Sequence, residues 1–309
     1  MSPPMHRQVL GVADDDALAR SVRARPSLLR SFFLIPMLLC LPLVVGTPVA
    51  LLASGQDVAQ ETSARYWPRD EVFGGAALLF NSDDTPVHQI YGIGWERPGP
   101  VEVHARDTDV IFVFEGGATV VTGGEVLEPR SPREHETLGS GIRGGTRQTL
   151  GPGDVMIIPA GTPHWFESVD GAIDFVAVKV RETFSSPQPV RWWSGTELPG
   201  TSPLLFDARE EGGNYQIFSV GRNGPGMAEV HDAARDIILV TKGAASFVTG
   251  GSIVESRRPR PGETVGSGVR EGTTHDLSPG DVISVPQLTP HWFQAVDDEI
   301  EYLVVKFVF

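Results

Sequence analysis

The chain has 309 residues, 40% hydrophobic and 21% charged, which excludes a disordered polymer and leaves room for two ordinary domains plus a short appendage. Its net charge is −14, although residues 1–30 hold five Arg against three Asp. The acidic body therefore repels nucleic acid and anionic membrane surfaces, and a small-molecule partner is the better expectation.

From the N-terminus, Arg20, Arg23, Arg25 and Arg30 precede the uncharged run "SFFLIPMLLCLPLVVGTPVALLA", residues 31–53. A basic flank followed by an apolar run reads as an export signal or a single anchor. Pro36, Pro42 and Pro48 weaken a continuous helix, and Ala53-Ser54-Gly55 offers small residues for cleavage. Residues 1–55 are thus expected to be a signal peptide or a membrane anchor. Either places the rest outside the cytoplasm, secreted or periplasmic, touching a membrane only through this segment if it stays uncleaved. The single cysteine, Cys40, lies in the same run, so the body has no thiol and no disulfide.

Beyond residue 60 no stretch has a helical period. The short runs "VIFVF" (110–114), "ATVVT" (118–122), "DVMII" (154–158) and "IDFVAVKV" (173–180) predict strands. The polar stretch Gly124–Arg147 predicts an extended hairpin or lid, and "SSPQPVRWWSGTELPG" (185–200) a linker whose tryptophans dock on a domain. Then the chain repeats. Residues 89–180 align with 216–307 without a gap, at an offset of 127, and about half the positions from Glu102 to Val180 are identical. The pattern predicts an all-β protein with two tandem barrels, residues 66–190 and 191–309.

Four of the eight histidines fall at matched positions, His104 with His231 and His164 with His291. Carboxylates accompany them: Glu102 and Asp109 in the first copy, Glu229 and Asp236 in the second. Residues two apart on a strand share a face, so Glu102 and His104 point together. Imidazoles and carboxylates converging from neighbouring strands suit Mn, Fe, Zn, Ni or Cu better than Ca or Mg. Two imidazoles and two carboxylates would leave a divalent ion formally neutral, which lowers the cost of burying it. Arg143 and Arg270, in matched "GSG" hairpins, and Trp165 and Trp292, beside the second histidines, are weaker candidates for substrate contact. Each histidine also has a plainer role open to it, packed at a barrel mouth against a turn carbonyl.

The residues Gly153, Pro159, Gly161 and His164 fit G-x5-P-x-G-x2-H-x3-N, with Ser168 in the Asn position. The second copy fits at Gly280, Pro286 and His291, with Leu288 in place of the glycine. Around His104, Asp109 and Gly116, and around His231, Asp236 and Gly243, the chain follows G-x5-H-x-H-x3,4-E-x6-G, with Glu102 and Glu229 where the first His belongs. In these motifs residues 75–309 resemble the cupin superfamily, specifically its two-domain bicupins. The resemblance implies two jelly-roll barrels, at most one divalent transition metal in each, and a small-molecule substrate or ligand. It implies a metal-dependent enzyme of oxygenase, isomerase, lyase or decarboxylase type, such as a dioxygenase or an isomerase of a sugar or organic acid. A non-catalytic binding or storage bicupin is the alternative, favoured by the missing first His. A homo-oligomer stays open. The intact Gly161 makes the first copy the better catalytic candidate.

Overall fold

The computed structural model describes residues 63–73, 78–82, 88–181, 188–198 and 204–309. The expected signal or anchor, residues 1–55, lies outside them.

The described residues are almost all β. One turn of helix, Arg69–Val72, and a 3₁₀ turn, Ala208–Glu211, are the exceptions. Two ten-stranded sheets share one strand order. At the centre of the first, Asp107–Thr122 lies between Val155–Ile158 and His164–Arg181. The second repeats this with Ala234–Thr249, Val282–Val285 and His291–Val308. The polar 124–147 region folds into short paired strands, and two of them extend the sheet, Glu136–Gly139 beside Val101–His104 and Arg130–Arg133 at the edge.

The apolar runs lack alternation because both faces of the central strands are covered. Ile111, Val113, Phe175 and Ala177 face the first domain's own interior, together with Trp95 and Phe166. Their neighbours Val110, Phe112, Val176 and Val178 face the other way, into a core shared with Ile237, Leu239, Val305 and Phe307 of the second domain. Each fully buried side chain of this size contributes about 1.5–3 kcal/mol, so the shared core joins the two domains firmly.

The arms cross over. Arg65–Trp67 precedes the first domain yet pairs with Val282–Ser284 of the second. Arg191–Trp193 precedes the second and pairs with residues 155–157 of the first. Asp281 accepts from Tyr66 Oη at 2.8 Å and from the Arg69 amide at 2.8 Å. Asp154 does the same for Trp192 Nε1, at 3.2 Å, and for the Gly195 amide, at 2.8 Å. The 191–193 tryptophans of the expected linker therefore dock as a strand on the first sheet.

One motif glycine has a strict reason. Gly116 sits at φ 75°, and a Cβ there would lie 1.8 Å from the Ala172 carbonyl oxygen; Gly243, at φ 75°, would meet that of Glu299 at 1.9 Å. Only a residue without Cβ lets the two long strands cross so closely.

Candidate metal centre

Strand register assembles the site. His164 lies directly opposite Glu102, and Asp109 directly opposite Lys179. His104 joins Glu102 on the same face, two residues along. His104 Nε2 is 3.2 Å from Glu102 Oε2 and 3.5 Å from Asp109 Oδ2. His164 Nε2 is 3.8 Å and 3.6 Å from the same two oxygens, and the imidazole centroids are 5.1 Å apart.

These groups fit a divalent metal ion. His164 Nδ1 lies 3.1 Å from the Thr162 carbonyl, which can only accept, so Nδ1 carries the proton and Nε2 keeps its lone pair for the centre. His104 Nε2 is buried and makes no hydrogen bond of good geometry. One ligand atom from each of Glu102, His104 and His164 falls within 4.8 Å of the others. The packing of His164 against a turn carbonyl and its availability as a ligand are thus one arrangement, not rivals.

The second domain repeats the construction with a looser glutamate. Glu229 faces His291, and Asp236 faces Lys306. His291 Nδ1 lies 3.1 Å from the Thr289 carbonyl. His231 Nε2 is 3.2 Å from Asp236 Oδ2 but 3.8 Å from Glu229 Oε2. Glu229, His231 and His291 form the second compact triad.

The family model described as Cupin matches residues 100–201 and 209–307. The chain belongs to the cupin family. No curated relative matches it. Among solved structures, salicylate 1,2-dioxygenase from Pseudaminobacter salicylatoxidans is similar at TM-score 0.52 and 13% identity, over 83% of this chain and 87% of its own. The cupin 2 conserved barrel domain protein from Leptotrichia buccalis gives 0.49 and 10%, over 81% and 91%. An oxalate decarboxylase from Lactobacillus farciminis gives 0.43 and 14%, over 76% and 84%. At these identities the likeness is one of fold.

Each cupin domain therefore carries one cluster able to hold a single divalent metal ion. A lysine completes each cluster. Lys179 Nζ binds both oxygens of Asp109, at 2.7 and 2.8 Å, and Lys306 Nζ lies 2.5 Å from Asp236 Oδ1. The formal neutrality expected of a bound divalent ion is changed by this: with Lys179 counted, the filled centre carries one positive charge and suits an anionic ligand. Burial alone would raise the Asp109 carboxyl, but Lys179, His104 and His164 outweigh it and hold it below the ordinary carboxylate value. Glu102 behaves likewise: burial opposes, yet the two imidazoles beside it keep its carboxyl well below the usual range. For His164, burial would lower the pKa, but Glu102 and Asp109 raise it above the usual 6.5. In the second domain burial raises Glu229 and pulls His291 down to about 4, while Lys306 and His231 outweigh it at Asp236 and hold that carboxyl well below the ordinary range.

A cavity of about 340 Å³ opens from the first centre, walled by Tyr91, Trp95, Phe166 and Phe175, with Arg133 and Glu136 also lining it. Trp165 is not part of this lining; its Nε1 donates to the Gly99 carbonyl at 3.0 Å and it packs against Val101, Val121 and Ile142. Trp292 makes the matching bond to Gly226, at 2.9 Å, but does line the second cavity. Arg143 is exposed and paired with Glu125 at 2.5 Å, and Arg270 is exposed on Gly268–Arg270. Neither arginine lines either of these two cavities, because the hairpins carrying them pair with the short strands Glu125–Leu127 and Ser252–Val254 instead.

Sequence reasoning passed over Lys179 and Lys306. Their signal was a lone cation at matched positions in the largely apolar strands "IDFVAVKV" and "IEYLVVKF". It also passed over Arg222 and Tyr302, which line the second cavity where the repeat places Trp95 and Phe175 in the first.

Proposed function

We propose that the chain is an exported, metal-dependent bicupin enzyme whose first domain acts on a small oxygenated molecule. One observation carries this reading. Two imidazole Nε2 atoms and the Glu102 carboxylate converge at a largely apolar, aromatic-walled cavity of about 340 Å³. Such a pocket has the dimensions and lining of a small-ligand site.

A divalent ion bound there would supply Lewis acidity, polarising a carbonyl or activating water. The protein's own groups do the rest. His104, His164 and Glu102 would hold the ion. Asp109, fixed through both oxygens by Lys179, stands beside them as an immobile anion and does not have to reorganise during a reaction. The walls of Trp95, Phe166 and Phe175 exclude water from a bound molecule and strengthen each electrostatic contact within. The net positive charge of the filled centre and the aromatic walls around it favour a substrate that coordinates through an enolised oxygen. Oxygenase, isomerase, lyase and decarboxylase chemistry all use such a site. Closure of each sheet into a jelly-roll barrel, and export through residues 1–55, belong to the same proposal; the uncharged run at 31–53 after four arginines supports the export.

Lys179 also favours a second reading, a non-catalytic binding protein. Because it occupies both Asp109 oxygens, the fourth position of the family motif is engaged elsewhere.

Elemental analysis of protein purified without chelator, with His164→Ala and His291→Ala alongside, tests the metal centre. Each substitution should remove one metal per chain. A wild type that carries none, with a thermal melt indifferent to chelator, would replace the enzyme by the binding protein.

A further inference from the structure

The two cavities keep one ligand set but differ in their walls. In the first, Trp95 stands edge-on to Phe166 and Phe175, with ring centroids at 4.9 and 5.3 Å. At the repeat-equivalent places the second has Arg222 and Tyr302. Arg222 lies over the Phe293 ring, 5.1 Å from its centroid, and donates from Nε to Tyr302 Oη at 2.8 Å. A cation–π contact and a hydrogen bond thus hold the guanidinium in one plane against the cavity wall.

Its terminal nitrogens are left for something else. Among the described residues, neither Nη of Arg222 has a hydrogen bond or an ion pair. Two of the acids lining the cavity are already engaged, Asp236 by Lys306 and Glu263 by Arg260. Glu229 feels the charge of Arg222 but lies within ion-pair distance of His231 instead. A fixed planar fork with free donors, beside a metal triad in a cavity of about 280 Å³, matches the two oxygens of a carboxylate. Phe218 and Phe293 supply an apolar floor for the carbon skeleton.

We propose that the second cavity binds the carboxylate of a small organic acid through Arg222, while the first accepts a less polar molecule. This rests on the small-molecule reading above and extends it to the second domain. With a divalent ion in place, the cavity's charged residues leave two formal positive charges, one more than in the first domain. A mono- or dicarboxylate matches that balance, and a polyphosphate does not.

Calorimetric titration of the full chain, with metal content measured on the same samples, tests the proposal using malonate, benzoate and inorganic phosphate as probes. Wild type should bind one of the two carboxylates at one site per chain, more tightly than phosphate. Arg222→Gln should weaken that binding about tenfold to a hundredfold, the range of a hydrogen bond to a charged group. Arg222→Lys, which keeps the charge but loses the fork, should retain only part of it. If Arg222→Gln does not fold, Arg222→Lys and Tyr302→Phe decide the matter: unaltered carboxylate affinity in both overturns the proposal. So does unaltered affinity in a folded Arg222→Gln, tighter binding of phosphate, or no carboxylate binding by wild type. Loss of the second domain's metal in Arg222→Gln overturns it too, since Arg222 would then serve Glu229. Failure of the enzyme reading registers separately, as a wild type that carries no metal in its first domain.

Discussion

The two domains match ligand for ligand, yet at the glutamate and the second histidine their electrostatics run in opposite directions. In the first, Glu102 reaches both imidazoles, and carboxylates and histidines stabilise one another's charges. In the second, Glu229 reaches only His231, so burial dominates, and both Glu229 and His291 are pushed toward their neutral forms. The difference teaches that a repeated motif repeats ligand identity, while the strength of the site depends on how far a side chain reaches across the sheet. The first domain holds both of its carboxylates ionised; the second has traded part of that for a polar wall at Arg222 and Tyr302.

The largest test asks where the domains must stay alike. Gly116→Ala would drive a Cβ to 1.8 Å from the Ala172 carbonyl oxygen, and Gly243→Ala would do the same at 1.9 Å from that of Glu299. Backbone meets backbone, so no rotamer relieves the clash. Each variant should lose more than about 4 kcal/mol, the exceptional end of single substitutions, and soluble expression with circular dichroism would show it. A variant melting near wild type would mean the strand crossing is softer than it looks.

Next come the lysines. Lys179→Met leaves Asp109 buried without its cation, and Lys306→Met does so for Asp236. Breaking a buried pair from one side costs about 3–5 kcal/mol. Both metal-free variants should fall by that order in denaturant melts, and added Zn should recover more in the Lys179 variant, where Glu102 lies 3.2 and 3.8 Å from the two imidazole nitrogens while Glu229 lies within ion-pair distance of His231 only. Equal recovery in the two would remove the distinction drawn between the sites.

These lysines also mark the limit of what the residues alone revealed. The duplication, the all-β class and the eight ligand candidates were legible because they depend on residue identity and on spacing along one strand. Lys179 was not, because its contact with Asp109 exists only through the pairing of residues 70 apart in the chain. The crossed arms were hidden for a related reason. "RYW" at 65–67 and "RWW" at 191–193 stand 126 residues apart, one short of the repeat, and which sheet each joins is settled by the packing of the domains. Arg143 and Arg270 misled because a matched position was taken as a shared site, whereas short local hairpins carry them away from the cavities.

A pH titration of metal-free protein sharpens the electrostatic contrast. His164 has a folded pKa above 6.5, so its contribution to stability is complete below 6.5 and is lost as pH rises through the folded value. His291, at about 4 when folded against 6.5 unfolded, behaves in reverse: its contribution is present above 6.5 and lost as pH falls toward 4. That loss amounts to at most about 3 kcal/mol, at 1.36 kcal/mol per unit. Proton NMR of the imidazole C–H signals should show His164 titrating before His291 as pH is lowered from 8; the reverse order would sink the contrast drawn between the two sites.

The smallest effect concerns Leu288, which stands before His291 where the first copy keeps the motif glycine Gly161. The turn survives. Leu288 adopts φ 61° and its amide donates to the His231 carbonyl at 2.8 Å, just as Gly161, at φ 80°, donates to that of His104 at 2.7 Å. The cost is strain, since a side chain in the left-handed region loses about 1–2 kcal/mol, and the exposed Leu288 side chain recovers little by burial. Leu288→Gly relieves that strain but loosens the unfolded chain, which takes back about 0.4–1 kcal/mol. The variant should therefore be stabilised by about 0.5–1 kcal/mol, and Gly161→Leu should be destabilised by a similar amount, both with metal content unchanged. Denaturant melts paired with elemental analysis would check this. A change in bound metal in either variant would show that the turn residue, and not only its backbone, shapes the centre.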